Sequence, residues 1–331
     1  MPVSRLLLID LSKLNGMPTH HERYPIQKKR ITDGIPTDAD VEWLVDGVDA
    51  VFLCETPLNF YLYEYAKEKN VIVVNQFNYE FLDHLKDPYK PRPDILAAPT
   101  YWGVNHVKKL GIAQVEVWPV PISEIHLRQL GIKPFSTFIH IVGRPAAQDR
   151  NGTIAFLTAA VKLGKQYKYK IFVQTPAEPK TCEAWKPLNE AIIAAKMILG
   201  DNLEVVENLE DNSEMYQSGE ILVLPRKYGG LCLPMLEALS WGLPVIMPNI
   251  TPNKQQLPTE WLVEAKIAGT FQTQTEIILY DVFVEDLISK MRYVAENLYE
   301  ANKKAGYLAR ARTWGVMREL YLKRLYKICK K

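Results

Sequence analysis

Short runs rich in Val, Ile and Leu recur along this chain, with stretches of helical length between most of them. VSRLLLI (3–9), DAVFLC (49–54), VIVVN (71–75), DILAAP (94–99) and QVEVWPV (114–120) form a first set. TFIHIVG (137–143), YKIFVQ (169–174), LEVVE (203–207), EILVLP (220–225) and LPVIMP (243–248) form a second. Apolar runs with little polar alternation suit parallel strands covered on both faces. Segments such as 57–69 and 100–110 read as the helices between them, and roughly the last fifty residues read as helix. The alternation predicts an α/β chain, and its restart predicts two doubly wound parallel sheets. Gly131 and Pro134 of GIKPFS (131–136) mark the expected hinge. Ligands of open parallel sheets bind beyond the carboxyl ends of the strands. Two such sheets facing one another would line a cleft, so functional residues are expected in the loops just after each run.

Composition narrows the class. The 331 residues suffice for about two domains of ~150 residues. With 47% hydrophobic residues and a net charge of +2, the chain is neither disordered nor a strong polyanion binder as a whole. No run approaches the ~20 apolar residues of a membrane span, and MPVSRLLLIDLSK lacks a secretory signal's apolar region and cleavage site. Cys54, Cys182, Cys232 and Cys329 are widely separated, with no CxxC pair. These features predict a cytoplasmic protein with reduced thiols, open to peripheral membrane contact.

In FIHIVGRPAAQDRNGTIAFLTAAVKLG (138–164) a strand ends at Gly143, a loop carries Arg144 and Arg150, and a helix starts near Asn151–Gly152. Two guanidiniums at a helix N-terminus form an anion site, for which a diphosphate is a natural guest. Further on, EILVLPRKYGG leads into GLCLPMLEALSWG. Gly229 and Gly230 permit close backbone approach. Glu237 falls about one turn into the following helix, where a carboxylate can accept hydrogen bonds from a vicinal diol. Gly242 and Pro244 close the helix.

These two stretches resemble the C-terminal domain of the GT-B glycosyltransferases, in particular the retaining family 4 (group 1) pattern. The matching positions are Pro225, Gly230, Leu231, Leu233, Pro234, Glu237, Ala238, Gly242, Pro244, Val245 and Ile246. VGRPAAQDRNG resembles the family's Gly-Arg…Lys-Gly loop, with Arg150 in place of the lysine. DNSEMYQSGEILVLP and ARARTWGVMRELYLKRLY resemble its short helix and strand and its closing helix. The resemblance implies a nucleoside-diphosphate sugar, such as a UDP sugar, as donor substrate, with neither cofactor nor metal. It implies that Glu237 binds the ribose and that Arg144 and Arg150 neutralise the diphosphate as it leaves. Gly229, Gly230, Leu231, Cys232 and Arg226 would complete the donor site, with the base near Gln174–Pro176. It also implies an N-terminal acceptor domain over 1–132, a nucleotide-sugar domain over 133–300, and a closing helix over 301–331 that returns to the first.

One departure is specific. The family has two glutamates with seven residues between them, and the partner position of Glu237 is Gly229. Cys232 stands for a glycine, and Arg226 and Lys227 follow the strand where a serine is usual. Three explanations remain open: an unusual donor sugar, a carboxylate supplied by the N-terminal domain, or binding without efficient catalysis.

The N-terminal half resembles the family in architecture alone. After Asp10, the stretch LSKLNGMPTHHERYPIQKKRITDGIPTD carries His20, His21, Arg23, Lys28, Lys29 and Arg30 against the single acid Glu22 in the same part of the loop. Such a loop suits an anionic acceptor: a surface glycan or lipid, or a hydroxymethylated DNA base in a phage setting. Glu55, after the second run, is the first candidate for a polar group touching the sugar or orienting the acceptor hydroxyl, with Asp10 the next. Asn75, Asn78 and Glu80 are expected to face the cleft, and Tyr101 and Trp102 to stack a sugar or base. The rival reading is a nucleotide-sugar or nucleic-acid binding protein with little catalysis.

Overall fold

The structure is a computed structural model that describes residues 6–9, 37–54, 59–82, 86–122, 125–127, 136–143, 149–173, 183–207, 209 and 211–329, without the side chains of 6–9, Ala184 and Cys329. Most of the expected hinge therefore lies outside the described residues. The chain forms two compact units. Unit 1 comprises Met1–Val120, Gln272–Glu276 and Met317–Lys331; unit 2 comprises Pro121–Phe271 and Ile277–Val316.

Unit 1 holds β1 (Leu6–Ile9), α1 (Asp38–Val45), β2 (Ala50–Leu53), α2 (Tyr61–Glu68), β3 (Ile72–Gln76), β4 (Ile95–Ala98), α3 (Val104–Leu110) and β5 (Gln114–Val117). The five strands lie side by side in chain order. β2 to β5 are parallel, as the apolar runs predict. β1 is not: it pairs antiparallel to β2, with Leu6 opposite Leu53 and Ile9 opposite Ala50. A short apolar run marks a strand but carries no sign of its direction, so the pattern could not separate the two arrangements.

Alternate side chains of this sheet serve two layers, as the period of two requires. Val51, Leu53 and Val73 pack with Val41, Leu44, Val45, Leu62, Tyr63 and Ala66 from α1 and α2. On β4 and β5, Leu96, Ala98 and Val115 pack with Val104 and Val107 of α3. Phe52, Val74, Ile95, Ala97 and Trp118 instead meet Tyr321 and Leu325 of the helix Trp314–Cys329. Trp118 sits at the centre of that layer, 5.1 Å from the Tyr321 ring and 5.6 Å from Phe52. The Tyr321 hydroxyl donates to Pro119 O at 2.9 Å, so the ring is buried without a stranded polar group.

Unit 2 is built on β6 (Thr137–Ile141), α4 (Thr153–Leu163), β7 (Lys168–Val173), α5 (Lys186–Leu199), β8 (Leu203–Glu207), α6 (Asn212–Gln217), β9 (Ile221–Val223), α7 (Leu233–Ser240), β10 (Val245–Pro248) and β11 (Leu262–Val263). Its six strands run β11-β10-β9-β6-β7-β8, all parallel. From β6 the chain winds one way through β7 and β8, then crosses to β9 and winds the other way. The reversal lies between β6 and β9, and a doubly wound sheet opens a crevice at that place. Two further strands, Ala265–Gln272 and Glu276–Val282, pair with each other alone, an element the sequence pattern did not single out. Helices at Val284–Glu296 and Leu298–Arg310 follow.

Candidate functional site

A buried polar network joins the elements on either side of this reversal. His140 of β6 is fully buried; its Nδ1 lies 2.7 Å from Val223 O of β9 and its Nε2 lies 3.0 Å from Thr153 Oγ1 of α4. A carbonyl only accepts, so Nδ1 carries the proton. Nε2 of the neutral ring then accepts from the Thr153 hydroxyl. Thr153 Oγ1 in turn accepts from Gly143 N–H at 2.9 Å. Burial, the larger effect, lowers the His140 pKa to about 4 against the partial support of the Val223 carbonyl, and the ring stacks on Phe156 at 4.6 Å. Three elements around the switch point are thus joined by one neutral imidazole.

The loop from β6 into α4 is packed tightly enough to require its glycines. Gly152 has φ +72°, and a Cβ there would lie 2.1 Å from Pro225 O at the end of β9. A Cβ on Gly143 would lie 2.4 Å from Asp149 Oδ1. Asp149 is itself buried, its Oδ2 accepts from Ile154 N–H at 3.3 Å, and burial pushes its carboxyl pKa up. Arg144 lies outside the described residues.

Arg150 turns toward the loop after β9. Its Nη2 donates to Gly229 O at 2.8 Å and its guanidinium sits over the Tyr228 ring at 4.4 Å. Arg150 O accepts from Lys227 N–H at 2.8 Å, and Lys227 O accepts from Tyr280 N–H at 2.7 Å. The Lys227 ammonium is 3.9 Å from Asp281. Arg226, next to them, is 5% exposed, and its Nε has no hydrogen-bond partner among the described residues. Gly230 adopts φ +108°, a conformation open to glycine, and Leu231 behind it is half-buried. Arg150, Arg226, Lys227 and the α4 N-terminus thus belong to the loops that leave the carboxyl ends of β6 and β9, where open parallel sheets take their ligands.

Glu237 lies on α7, the helix that follows β9. α7 begins after the buried Cys232, takes Pro234 in its first turn, and ends before Gly242 at φ +77°. Glu237 is half-buried, and its Oε2 accepts from the Tyr216 hydroxyl at 2.5 Å. Tyr216 is 2% exposed, and its phenol pKa is raised by burial first and by the Glu237 charge second. Glu237 and Tyr216 line a cavity of about 510 Å³ together with Asp211, Ser213, His126 and Trp241. The His126 and Trp241 rings stack at 4.7 Å. No local pattern pointed to the Tyr216–Glu237 pair, whose members are 21 positions apart on different helices. His140 and Tyr228 were likewise not singled out, because an apolar strand and a Gly-rich loop conceal them.

Of the remaining candidates, some lie in the described residues and some do not. Asp10, His20, His21, Arg23, Lys28, Lys29, Arg30, Glu55 and Gln174 lie outside the described residues. Tyr101 is 58% exposed beyond β4, and Trp102 packs edge-on against Tyr79 at 5.1 Å. Tyr79 also lies 2.6 Å from His106 Nδ1 through its hydroxyl. Two expectations are corrected. Asn75 does not face a cleft: it is fully buried, accepting from the Tyr63 hydroxyl at 3.1 Å. Glu80 is buried as well, at 5% exposure. Among the described residues no three of His, Cys, Asp and Glu gather as a metal-ligand set, and no helix is long and apolar enough to cross a membrane.

Comparison with known proteins places this architecture. Residues 137–281 match the family model described as Glycosyl transferases group 1. Over 85 residues the chain is 32% identical to an uncharacterized glycosyltransferase of Haemophilus influenzae, covering 26% of this chain and 23% of that protein. The sucrose-phosphate synthase of Thermosynechococcus elongatus superposes with a TM-score of 0.60 at 14% identity, over 85% of this chain and 73% of that one. The pneumococcal O-GlcNAc transferase GtfA, solved in complex with UDP and GlcNAc, gives 0.56 at 16% identity, over 82% of this chain and 55% of that one. The matched stretch thus spans under a quarter of the curated relative, and the chain spans about half of GtfA. The chain has the GT-B fold, and its residues 137–281 are similar to the glycosyl transferases group 1 domain.

Proposed function

We propose that this protein is a glycosyltransferase that moves a sugar from a nucleoside-diphosphate sugar to an acceptor hydroxyl, with the donor held by unit 2. One observation carries the reading: the parallel sheet of unit 2 brings the α4 N-terminus, Arg150, Arg226 and the Glu237 helix to the reversal between β6 and β9. The diphosphate would lie against the α4 N-terminus, with Arg226 and Arg144 as its cations. Arg150 would hold the Gly229–Gly230 loop in place for it. Positive charge at that point stabilises the diphosphate as the glycosidic bond breaks, worth several kcal/mol in sites of this type. Glu237 would accept hydrogen bonds from the ribose. Cys232, Leu231 and Gln174 complete our donor assignment.

A UDP sugar is the first donor to try, since a structural relative was solved with UDP bound. We further propose retention of anomeric configuration, turnover without a metal, and an anionic acceptor recognised by unit 1. The basic residues between His20 and Arg30 motivate the acceptor class, and a surface glycan, a lipid or a hydroxymethylated DNA base would each satisfy it. Asp10, Glu55, Tyr101 and Trp102 are our acceptor-side candidates. Gly229, where the family places a glutamate, favours a second reading in which the donor is bound and turned over poorly.

A hydrolysis assay over UDP, GDP, ADP and TDP sugars, in chelator and in metal, tests the proposal. Release of nucleoside diphosphate from at least one donor is expected, with the same anomer in product as in donor. Tight binding with no turnover of any donor supports the second reading, and neither binding nor turnover defeats both.

A further inference from the structure

Glu237 presents its two carboxylate oxygens unequally. Oε2 is taken by the Tyr216 hydroxyl at 2.5 Å, a charge-assisted bond at the short end of its range. Oε1 accepts no hydrogen bond among the described residues, and the side chain opens on the cavity of about 510 Å³. Tyr216 has little freedom of its own, being 2% exposed on α6, which is capped by Asp211 accepting from Ser213 N–H at 2.8 Å. A rigid phenol thus fixes one oxygen of a half-buried carboxylate and leaves the other for a guest. A carboxylate with both oxygens unheld could rotate between solvent and ligand and would lose that freedom on binding. One held in advance does not, so its preference for a hydroxyl pair is sharper.

We propose that Tyr216 is the positioning residue that sets how strongly this protein distinguishes a ribose from a sugar lacking the 2′ and 3′ hydroxyls. This rests on the reading that Glu237 holds the ribose of the donor. Tyr216 does not touch the nucleotide in this proposal; it acts through the Glu237 carboxylate. Tyr216→Phe keeps the buried ring and removes only the hydroxyl, which makes it the informative change.

The experiment measures dissociation constants of the full chain for UDP, GDP, ADP and CDP, and then for the 2′,3′-dideoxy counterpart of the tightest. Wild type should favour the ribonucleotide by about tenfold or more, the scale of one charge-assisted hydrogen bond. Tyr216→Phe should lower ribonucleotide affinity several-fold, leave dideoxynucleotide affinity unchanged, and so shrink the ratio. In a Glu237→Gln background the same change should do nothing further, since the two residues act as one unit. A melting temperature near that of wild type would confirm that Tyr216→Phe is folded. A variant that binds both nucleotides equally more weakly assigns Tyr216 to packing alone, and an unchanged ratio removes its role; either result overturns the inference while the Glu237 reading stands. A wild type that binds but does not discriminate defeats the Glu237 reading and the inference with it. A wild type that binds none of the four defeats the proposed function as well.

Discussion

The guanidinium of Arg150 donates to the carbonyl of Gly229, 79 positions further along the chain, at 2.8 Å. It also covers the ring of Tyr228, so one side chain joins the loop before α4 to the loop after β9. Lysine cannot reproduce both contacts, because an ammonium lacks the planar fork that donates and stacks together. Arg150→Lys should therefore cost about 1–3 kcal/mol of stability. Urea unfolding should show a lower midpoint with an unaltered slope, and nucleoside diphosphate affinity should fall in parallel. Full stability in this variant would mean that the bridge is incidental.

His140 makes the fold of unit 2 sensitive to acid. Its pKa is about 4 in the folded chain against 6.5 for an unperturbed histidine, so the unfolded chain takes up the proton first as pH falls. Stability from this group is complete above about pH 6.5 and declines toward pH 4, by about 3 kcal/mol in all. Melting temperatures across that window should show the decline. His140→Gln, which cannot titrate, should flatten it even if the plateau is lower. An equally steep profile in the variant would place the acid sensitivity elsewhere.

Gly152→Ala combines two penalties. The residue sits at φ +72°, and the added carbon would meet Pro225 O at 2.1 Å. Left-handed backbone costs an alanine about 1 kcal/mol, and the contact forces a shift of β9 or of α4 on top of it. A loss of at least about 2 kcal/mol is expected. Gly111→Ala is the control: it shares the left-handed backbone, at φ +62° and ψ +25°, but has nothing within 4 Å of its added carbon. Equal losses in the two variants would show that the approach to Pro225 is not tight.

Leu325→Ala tests the helix Trp314–Cys329 as part of unit 1. Leu325 is 1% exposed and packs in the layer of Phe52 and Trp118. Truncating a buried leucine costs about 2–5 kcal/mol. Hydrogen exchange should rise in β2 to β4 and stay unchanged in β6 to β9. Uniform change in both would mean that the units do not unfold separately.

The strands were legible because burial on two faces demands apolar runs: the runs 137–143 and 94–99 contain β6 and β4, in which every residue is buried. The direction of β1 was not legible, since Leu6–Ile9 would look the same in either orientation. At the site, Glu237 announced itself as the lone acid of an apolar stretch, and Gly230 as a glycine in a loop that bends with positive φ. What could not be read was pairing across the chain. Nothing local to Arg150 names Gly229, and nothing in DNSEMYQSGE says that its tyrosine reaches a glutamate on another helix. Asn75 misled for the same reason: a polar residue ending a strand reads as a ligand contact until Tyr63 is seen to satisfy it.

The layer formed by Phe52, Trp118, Tyr321 and Leu325 orders events in time as well as in space. A ribosome delivers the strands of unit 1 early, but the residues that cover one face of them, Met317–Lys331, emerge after all of unit 2 has been made. At ~5–20 residues per second, the nearly 200 residues between Val120 and Met317 keep that apolar face waiting about 10–40 seconds. The unit begun first is therefore completed last, and in the interval Phe52 and Trp118 form the surface that a chaperone would be expected to shield.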